Sequence, residues 1–470
     1  MDFLFIRLVI RKQEDTDLSK SNKNKNKASV FDLNGVPDMK QAFPLAMQHV
    51  VAMIVGCITP AIVVAAIAVS QGTIKPSDTV ILIQAALLTA GLATIIQLFP
   101  IGKVIGSGLP AIMGVSFAYL ATLQSIVSQY NIATVFGAQL VGGIISIIVG
   151  LFVKKLKPLF PPLVTGTVIL TIGLSLYPTA VNYMAGGAGS ADYGSMKNWA
   201  VAVITLIAVT YFSHFCKGTL KLASILFGMV VGYVVAFFMG MVNFGEVGAA
   251  AWVQMPRPFY FGIEFEASAI ISMALLFIIN SIQVIGDMSA ATVGALDRDP
   301  SDKELSSGII GTGVANMIGS LIGGLPISTF GQNAGIVATT KVVNRCVLGL
   351  AGGILLVAGF LPKFSSLLTT IPLCVLGGAT ASVFASITMT GIKLITKQKM
   401  SYRNTSIVGL AVALGMGITS VPEALALFPA SITAIFGKSP VVLASLVAIL
   451  LNVILPKDKE EAEQTSTAHN

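Results

Sequence analysis

Charge is what this chain lacks. Only 11% of its 470 residues are Asp, Glu, Lys or Arg, against about 25% in ordinary soluble domains, so a water-facing globular surface is excluded. Cysteine is sparse as well. Cys57, Cys216, Cys346 and Cys374 stand far apart with no C-x-x-C spacing, which removes a disulfide framework and a cysteine metal site. There is no H-E-x-x-H, no pair of catalytic carboxylates and no nucleophile elbow, so an enzyme is not expected, nor any cofactor or metal. Runs of alternating polarity are missing, which leaves helices as the membrane-crossing elements rather than barrel strands. The formal net charge of +8 is scattered over loop ends without an aromatic-interleaved patch, and no nucleic-acid partner is expected. The first twelve residues hold a short apolar patch broken by Arg7 and Arg11 and run into a polar tract through Asn26, so no cleavable signal peptide is evident.

What is present is apolar length. Hydrophobic residues make up 54% of the chain and the mean hydropathy is +0.85. A crossing helix needs about 20 mostly apolar residues, and such runs follow one another from Gln41 to Leu455. Their Gly, Pro and charged punctuation predicts about fourteen segments. The first seven lie near 45–70, 79–99, 105–122, 132–153, 161–180, 197–213 and 220–243, and the second seven near 268–293, 304–324, 327–343, 346–362, 367–392, 402–418 and 432–455. The expected organisation is an N-terminal tail (1–40), a first repeat (41–243), an outward linker (244–267), a second repeat (268–455) and a C-terminal tail (456–470). The N-terminal tail is expected to be disordered.

An internal echo supports two halves. Gly91-Leu92-Ala93-Thr94 is matched by Gly313-Val314-Ala315-Asn316, and Gly108-Leu109-Pro110 by Gly324-Leu325-Pro326. Seven segments is an odd number, so the halves enter the membrane from opposite sides, the plan of an inverted repeat. With a cytosolic N-terminus, Lys103, Lys154, Lys155, Lys157, Lys217, Lys221, Arg298, Lys303, Lys341, Arg345, Lys393, Lys397, Lys399 and Arg403 fall on the cytosolic side, while the outward loops hold only Lys75, Lys197, Arg257, Lys363 and Lys438. The bias towards the inside predicts a multi-pass protein of the cytoplasmic membrane, surrounded by lipid, with both termini cytosolic.

The third and tenth segments are short, glycine-rich and introduced by Gly-Leu-Pro. Interrupted segments at corresponding places in two halves leave backbone groups free at mid-membrane. Ser116-Phe117-Ala118 and Gln332-Asn333 are therefore expected to face one cavity. Gly91 and Gly143 are read instead as points of close helix packing.

Few ionisable groups lie inside the segments. Asp287 shares a helical face with Asn280 and Gln283 through i, i+3 and i+7 spacing. A carboxylate there must find a donor or take up a proton, so Asp287 is either a proton carrier or a structural acid beside Gly286. His49, preceded by Gln48, is expected to organise polar neighbours rather than to touch a ligand. Glu423, following Pro422, is read as interfacial, and His214 and His469 as peripheral.

The run from Gln332 to Lys341 reads Q-N-x-G-x-x-x-x-T-K. Together with Gln48-His49, with Pro162-Leu163-Val164-Thr165-Gly166 ahead of Ile172-Gly173-Leu174-Ser175-Leu176, and with Ile285-Gly286-Asp287, it resembles the xanthine and uric acid permease branch of the nucleobase-ascorbate transporter family. The resemblance implies an all-α membrane fold of fourteen segments in two inverted repeats. Segments one to four and eight to eleven would form a core, and the remainder a gate. It further implies a homodimer, import of a purine base by symport, and an elevator-like movement of core against gate. Gln332 would bind the edge of the base, with Asn333 tuning affinity and specificity. Relatives that read uracil tend to carry an acid at the first motif position, so glutamine favours xanthine or urate. A primary amide agrees with this, offering both donor and acceptor to an oxopurine. Phe117 is a candidate stacking face and the small Ala118 a candidate widening of the pocket.

Two departures from the family pattern stand out. A glutamate usual four residues before the acid of the eighth segment is Gln283 here, and an aspartate usual twenty residues before the motif glutamine is Thr312. Asp287 and His49 remain as the titratable pair near the site. The expectation is that Gln283 still contacts substrate while Asp287 carries the coupling proton, with sodium left open. The alternatives are an uncoupled purine facilitator or exchanger, or a uracil or anion transporter of the same fold.

Overall fold

Helix ends in this protein are set by short polar caps and by proline. The structure is a computed structural model that describes residues 28–153, 161–429, Thr433, Gly437 and 439–456. The tails 1–27 and 457–470, Lys154, Lys155 and Lys157 of a loop expected inside, Lys438 of a loop expected outside and part of the last predicted segment lie outside the described residues. The first half runs α1 (Met39–Ser70), α2 (Asp78–Leu98), strand β1 (Met113–Val115), α3 (Leu120–Gln129), α4 (Ile132–Leu151), α5 (Pro162–Ser175), α6 (Tyr177–Met184), α7 (Met196–Phe215) and α8 (Ser224–Phe238). The second runs α9 (Ala267–Leu296), α10 (Asp302–Ile322), strand β2 (Ile327–Thr329), α11 (Gly331–Thr340), α12 (Arg345–Gly359), α13 (Pro362–Thr369), α14 (Leu373–Ile395), α15 (Tyr402–Ser420) and α16 (Pro440–Ile454).

Side chains of Asp38, Asn131, Ser195, Asn344, Ser401 and Ser439 cap the helices that follow them, satisfying N–H groups that a helix start leaves open. Ser301 and Glu304 close a full capping box on α10. Among the described residues eight helices are long and apolar enough to cross a membrane, and α12 with α13, bent by 83°, makes a ninth if counted as one span. Each of the fourteen predicted segments overlaps a helix or strand of the two halves given above, but fourteen crossings do not follow from these eight or nine helices.

The packing respects an exchange of the two halves. Helix α2 lies along α12 as α10 lies along α4, and α1 meets α12 as α9 meets α4. Helices α5 and α14 pack on each other across the exchange, and the pair α7 and α8 corresponds to α15 and α16. Glycines hold the closest crossings. A Cβ on Gly91 would stand 2.6 Å from Gly352 O, and one on Gly313 would stand 2.6 Å from Gly143 O. That is closer than atoms approach, so each contact requires the bare backbone.

Helices of segments one to four pack with those of eight to eleven, and helices of five to seven with those of twelve to fourteen. Between the two sets the contacts are thin and run mainly through α1 with α8 and through α9 with α5 and α16.

The two interrupted segments meet. Pro110 and Pro326, which lack an N–H, precede short extended stretches that pair as an antiparallel ribbon, Met113 with Thr329, Gly114 with Ser328 and Val115 with Ile327. The internal echo has its physical reason here. Thr94 Oγ1 accepts from Met113 N at 3.0 Å, while Asn316 Oδ1 accepts from Ile327 N at 2.9 Å and its Nδ2 donates to Ile327 O at 3.1 Å. The last residue of each echoed tetrapeptide thus fastens one strand of the ribbon.

Residues 28–38 depart from the predicted disordered tail: they are folded against the start of α12.

Candidate functional site

The antiparallel ribbon places one half-helix start at each of its ends. Phe330 N donates to Ile112 O at 2.9 Å and Ser116 N to Pro326 O at 3.0 Å, so α11 departs beside the head of β1 and the short helical turn 117–119 leading into α3 departs beside the head of β2. Extended chain from Ile112 to Ser116 covers roughly 13 Å at about 3.3 Å per residue, and this sets the separation of the two starts. Each brings the N–H groups of a helix start and the positive end of a helix dipole to the ribbon.

At the α11 end, Thr329 Oγ1 donates to Asp287 Oδ2 at 2.7 Å. Gln283 stands one turn earlier on α9, half-buried like Asp287. Asp287 is half-buried, and a Cβ on Gly331, the first residue of α11, would stand 3.5 Å from Asp287 Oδ1. The acid therefore faces the positive end of α11, a setting that favours negative charge. Gly286, next to it in the chain, and Gly335, one turn into α11, have nothing within 4 Å of where a Cβ would stand.

Gln332 and Asn333 part company. Neighbouring residues on a helix point about 100° apart, and Gln332 is exposed while Asn333 is fully buried. Asn333 Nδ2 donates to His49 O at 3.3 Å and contacts Met53 Sδ at 3.3 Å, so this side chain fastens α11 to α1. His49 is buried, and its Nδ1 has no hydrogen-bond partner among the described residues. No hydrogen bond or ion pair among the described residues joins His49 to Asp287; each engages different neighbours.

At the other end Ser116 is buried and its Oγ accepts from Ala118 N at 3.3 Å, capping the turn. Phe117 is nearly buried and meets Phe384 of α14 edge-on, with ring centroids 5.5 Å apart. Ala118 is half-buried. The Phe117–Phe384 contact joins the two sets of helices at the mouth of the third segment.

Sequence reasoning missed two residues. Thr329 is the donor to Asp287, and Phe330 lays its ring over α1, where a Cβ on Gly114 would meet Phe330 Cδ2 at 2.8 Å and Cys57 Sγ at 2.9 Å. Adjacency to the Q-N motif was the only signal for either. Thr312, at the position of a usual acid, lies elsewhere: its Oγ1 accepts from Gln97 Nε2 at 3.0 Å and donates to Gly308 O at 2.9 Å, between α2 and α10. Among the described residues no group of three His, Cys, Asp or Glu side chains is placed to hold a metal ion.

A family model described as a permease family, Xan_ur_permease, matches residues 40–424. The chain is 36% identical over 413 residues to the xanthine permease of Bacillus subtilis (strain 168), covering 87% of this chain and 92% of that protein. It is 36% identical over 437 residues to the uric acid permease PucJ of the same organism, with 90% and 95% covered. To the xanthine permease XanQ of Escherichia coli (strain K12) it is 30% identical over 445 residues, with 91% and 94% covered. Two solved structures are similar in fold. The transmembrane domain of the cyanobacterium bicarbonate transporter BicA superposes with a TM-score of 0.56 at 16% identity, over 88% of this chain and 97% of that one. The inward-facing murine anion transporter Slc26a9 gives 0.58 at 10% identity, over 88% and 68%. At those identities the likeness is one of fold alone.

Proposed function

Because the chain belongs to the nucleobase-ascorbate transporter family and is a permease rather than an enzyme, we propose that it imports a purine base, xanthine or uric acid, across the cytoplasmic membrane by secondary active transport. The observation that carries this reading is the open start of α11. An exposed primary amide, Gln332, follows directly on the Thr329–Asp287 contact, beside a ribbon that brings both interrupted segments together. An oxopurine edge needs both a donor and an acceptor, and Gln332 supplies the two from one group. Asn333 acts on affinity indirectly, through its hold on α1.

Coupling is assigned to Asp287. It is the acid at the half-helix start, and with Gln283 in place of a second acid it alone takes and releases the proton as the base binds and leaves. The helices of segments one to four and eight to eleven move as a core against the others as a gate. The thin contacts between these sets support that reading, and Phe117 on Phe384 lies on the boundary. A homodimer completes the proposal, with apolar residues exposed on α7 and α8, such as Ile207, Tyr211, Val230 and Val234, facing lipid or the second copy.

The test is accumulation of labelled xanthine and urate by proteoliposomes under an imposed pH gradient, with and without protonophore and with sodium replaced by choline. Wild-type protein concentrates at least one base and loses the gradient with protonophore, whereas Asp287→Asn only equilibrates it. Full accumulation by Asp287→Asn removes the assignment of the acid. Equilibration alone by wild type favours the second reading, an uncoupled facilitator, which Gln283 in place of an acid one turn from Asp287 supports.

A further inference from the structure

The segment from Ala28 to Pro37 forms a strap. Ser29 N donates to Asp32 Oδ2 at 2.9 Å and Asp32 N to Ser29 O at 3.1 Å. Gly35 then turns the chain back with φ +99°, a conformation that favours glycine. The carbonyls gathered by this turn converge on one amide. Asn344 Nδ2 donates to Asp32 O at 2.9 Å, to Gly35 O at 3.3 Å and to Ser29 O at 3.4 Å, while its Oδ1 accepts from Cys346 N at 2.9 Å and Val347 N at 3.3 Å. Asn344 is fully buried, so these contacts are shielded from water, and a buried polar group left without its partner is costly.

Arg345 extends the knot in two directions. Its Nη1 donates to Asn34 Oδ1 at 2.9 Å; its Nε donates to Gly108 O at 2.7 Å, and Nη2 bonds the same oxygen. Gly108 is fitted to this contact, with φ +70° and Arg345 Nη2 only 2.6 Å from where a Cβ would stand. Three strands of chain are tied here. The strap continues through Asp38 into α1; Gly108 leads through Leu109 and Pro110 into β1; and Asn344 follows the end of α11 by four residues. Those same three elements meet again at the candidate site, where Asn333 rests on α1 and β1 on β2.

We propose that Arg345 is a positioning residue for substrate binding. Acting through the Gly108 carbonyl, it holds the head of the third segment against α1 and α11, so that β1 keeps its register on β2 and both half-helix starts face one cavity. Asn344 and the strap anchor the guanidinium from the other side. A simple fastening at the membrane surface would affect the amount of folded protein and nothing else.

The kinetic part of the test rests on the purine-transport reading; the structural part does not. Full-length wild type, Arg345→Ala, Arg345→Lys and Asn34→Ala are reconstituted for labelled xanthine uptake, and backbone hydrogen exchange is followed on the same proteins in nanodiscs. Loss of the two guanidinium bonds to Gly108 O and the one to Asn34 Oδ1 predicts that Arg345→Ala raises KM about tenfold or more, with kcat within about twofold of wild type. Arg345→Lys, which keeps one donor for Gly108 O, lies much nearer wild type, and Asn34→Ala falls between. Exchange at 111–116 and 327–330 rises in Arg345→Ala and stays unchanged in the distant α15. Unchanged KM with reduced abundance, or unchanged exchange at both strands, overturns the proposal. If wild type does not carry xanthine, the exchange measurement still decides it, and the failed transport counts against the purine reading alone.

Discussion

Thr329 and Asp287, forty-two positions apart, are joined by a 2.7 Å hydrogen bond from hydroxyl to carboxylate. That bond fixes β2 to α9 at the point where α11 begins, and it makes the acid of the eighth segment part of the same structure as the Q-N motif. Three consequences can be measured.

Thr329→Val keeps the shape of the side chain and deletes the donor. A hydrogen bond to a charged group is worth about 1.5–3 kcal/mol, so initial uptake rates are expected to fall roughly tenfold or more, with Thr329→Ser close to wild type. Equal rates for the valine and serine variants would show that the hydroxyl does not serve transport.

Gln332→Glu replaces an amide's two N–H donors and its carbonyl acceptor by acceptors alone. Because Gln332 is exposed, thermal stability in detergent should be unchanged. Xanthine and urate uptake should fall by about ten- to a hundredfold, the size of one mispaired hydrogen bond to a charged group. Retained uptake of both bases would remove Gln332 from the site.

Glycines separate packing from binding. Gly143→Ala drives a methyl group towards Met317 Cγ at 2.6 Å and Gly313 O at 2.8 Å, and overpacking of this kind costs about 1–3 kcal/mol. The expected result is a lower melting temperature with KM unaltered. Gly335→Ala meets nothing within 4 Å, so its melting temperature should match wild type, and any rise in KM then reports a ligand occupying that space. A melting temperature lowered by Gly335→Ala and not by Gly143→Ala would contradict both assignments.

Much of the fold was legible in advance because apolar length is a local property. The runs around Val80 or Val441 predict helices without knowledge of any neighbour, and α2 and α16 lie there. The Gly-Leu-Pro pair marked the interrupted segments because glycine and proline act on their own backbone. Other features carried no local signal. Three-residue strands such as Ile327–Thr329 are too short for a periodic pattern, and exist because Asn316 and the partner strand satisfy their backbone. Residues 28–38 read as tail because their polarity is that of a loop; it is Asn344, more than three hundred positions away, that orders them. The missing acid at Thr312 looked like a loss at the site, yet the threonine serves the contact of α2 with α10.

The amino-acid order alone established that this is a helical membrane protein and pointed to two related halves, since hydropathy, chain-breaking residues and internal echoes each depend on near neighbours. Only the tertiary structure decided that Gln332 stands open while Asn333 turns to α1, and that Asp287 answers to Thr329 rather than to His49. Those choices rest on the direction of hydrogen bonds between distant segments, which exist only once the helices have packed.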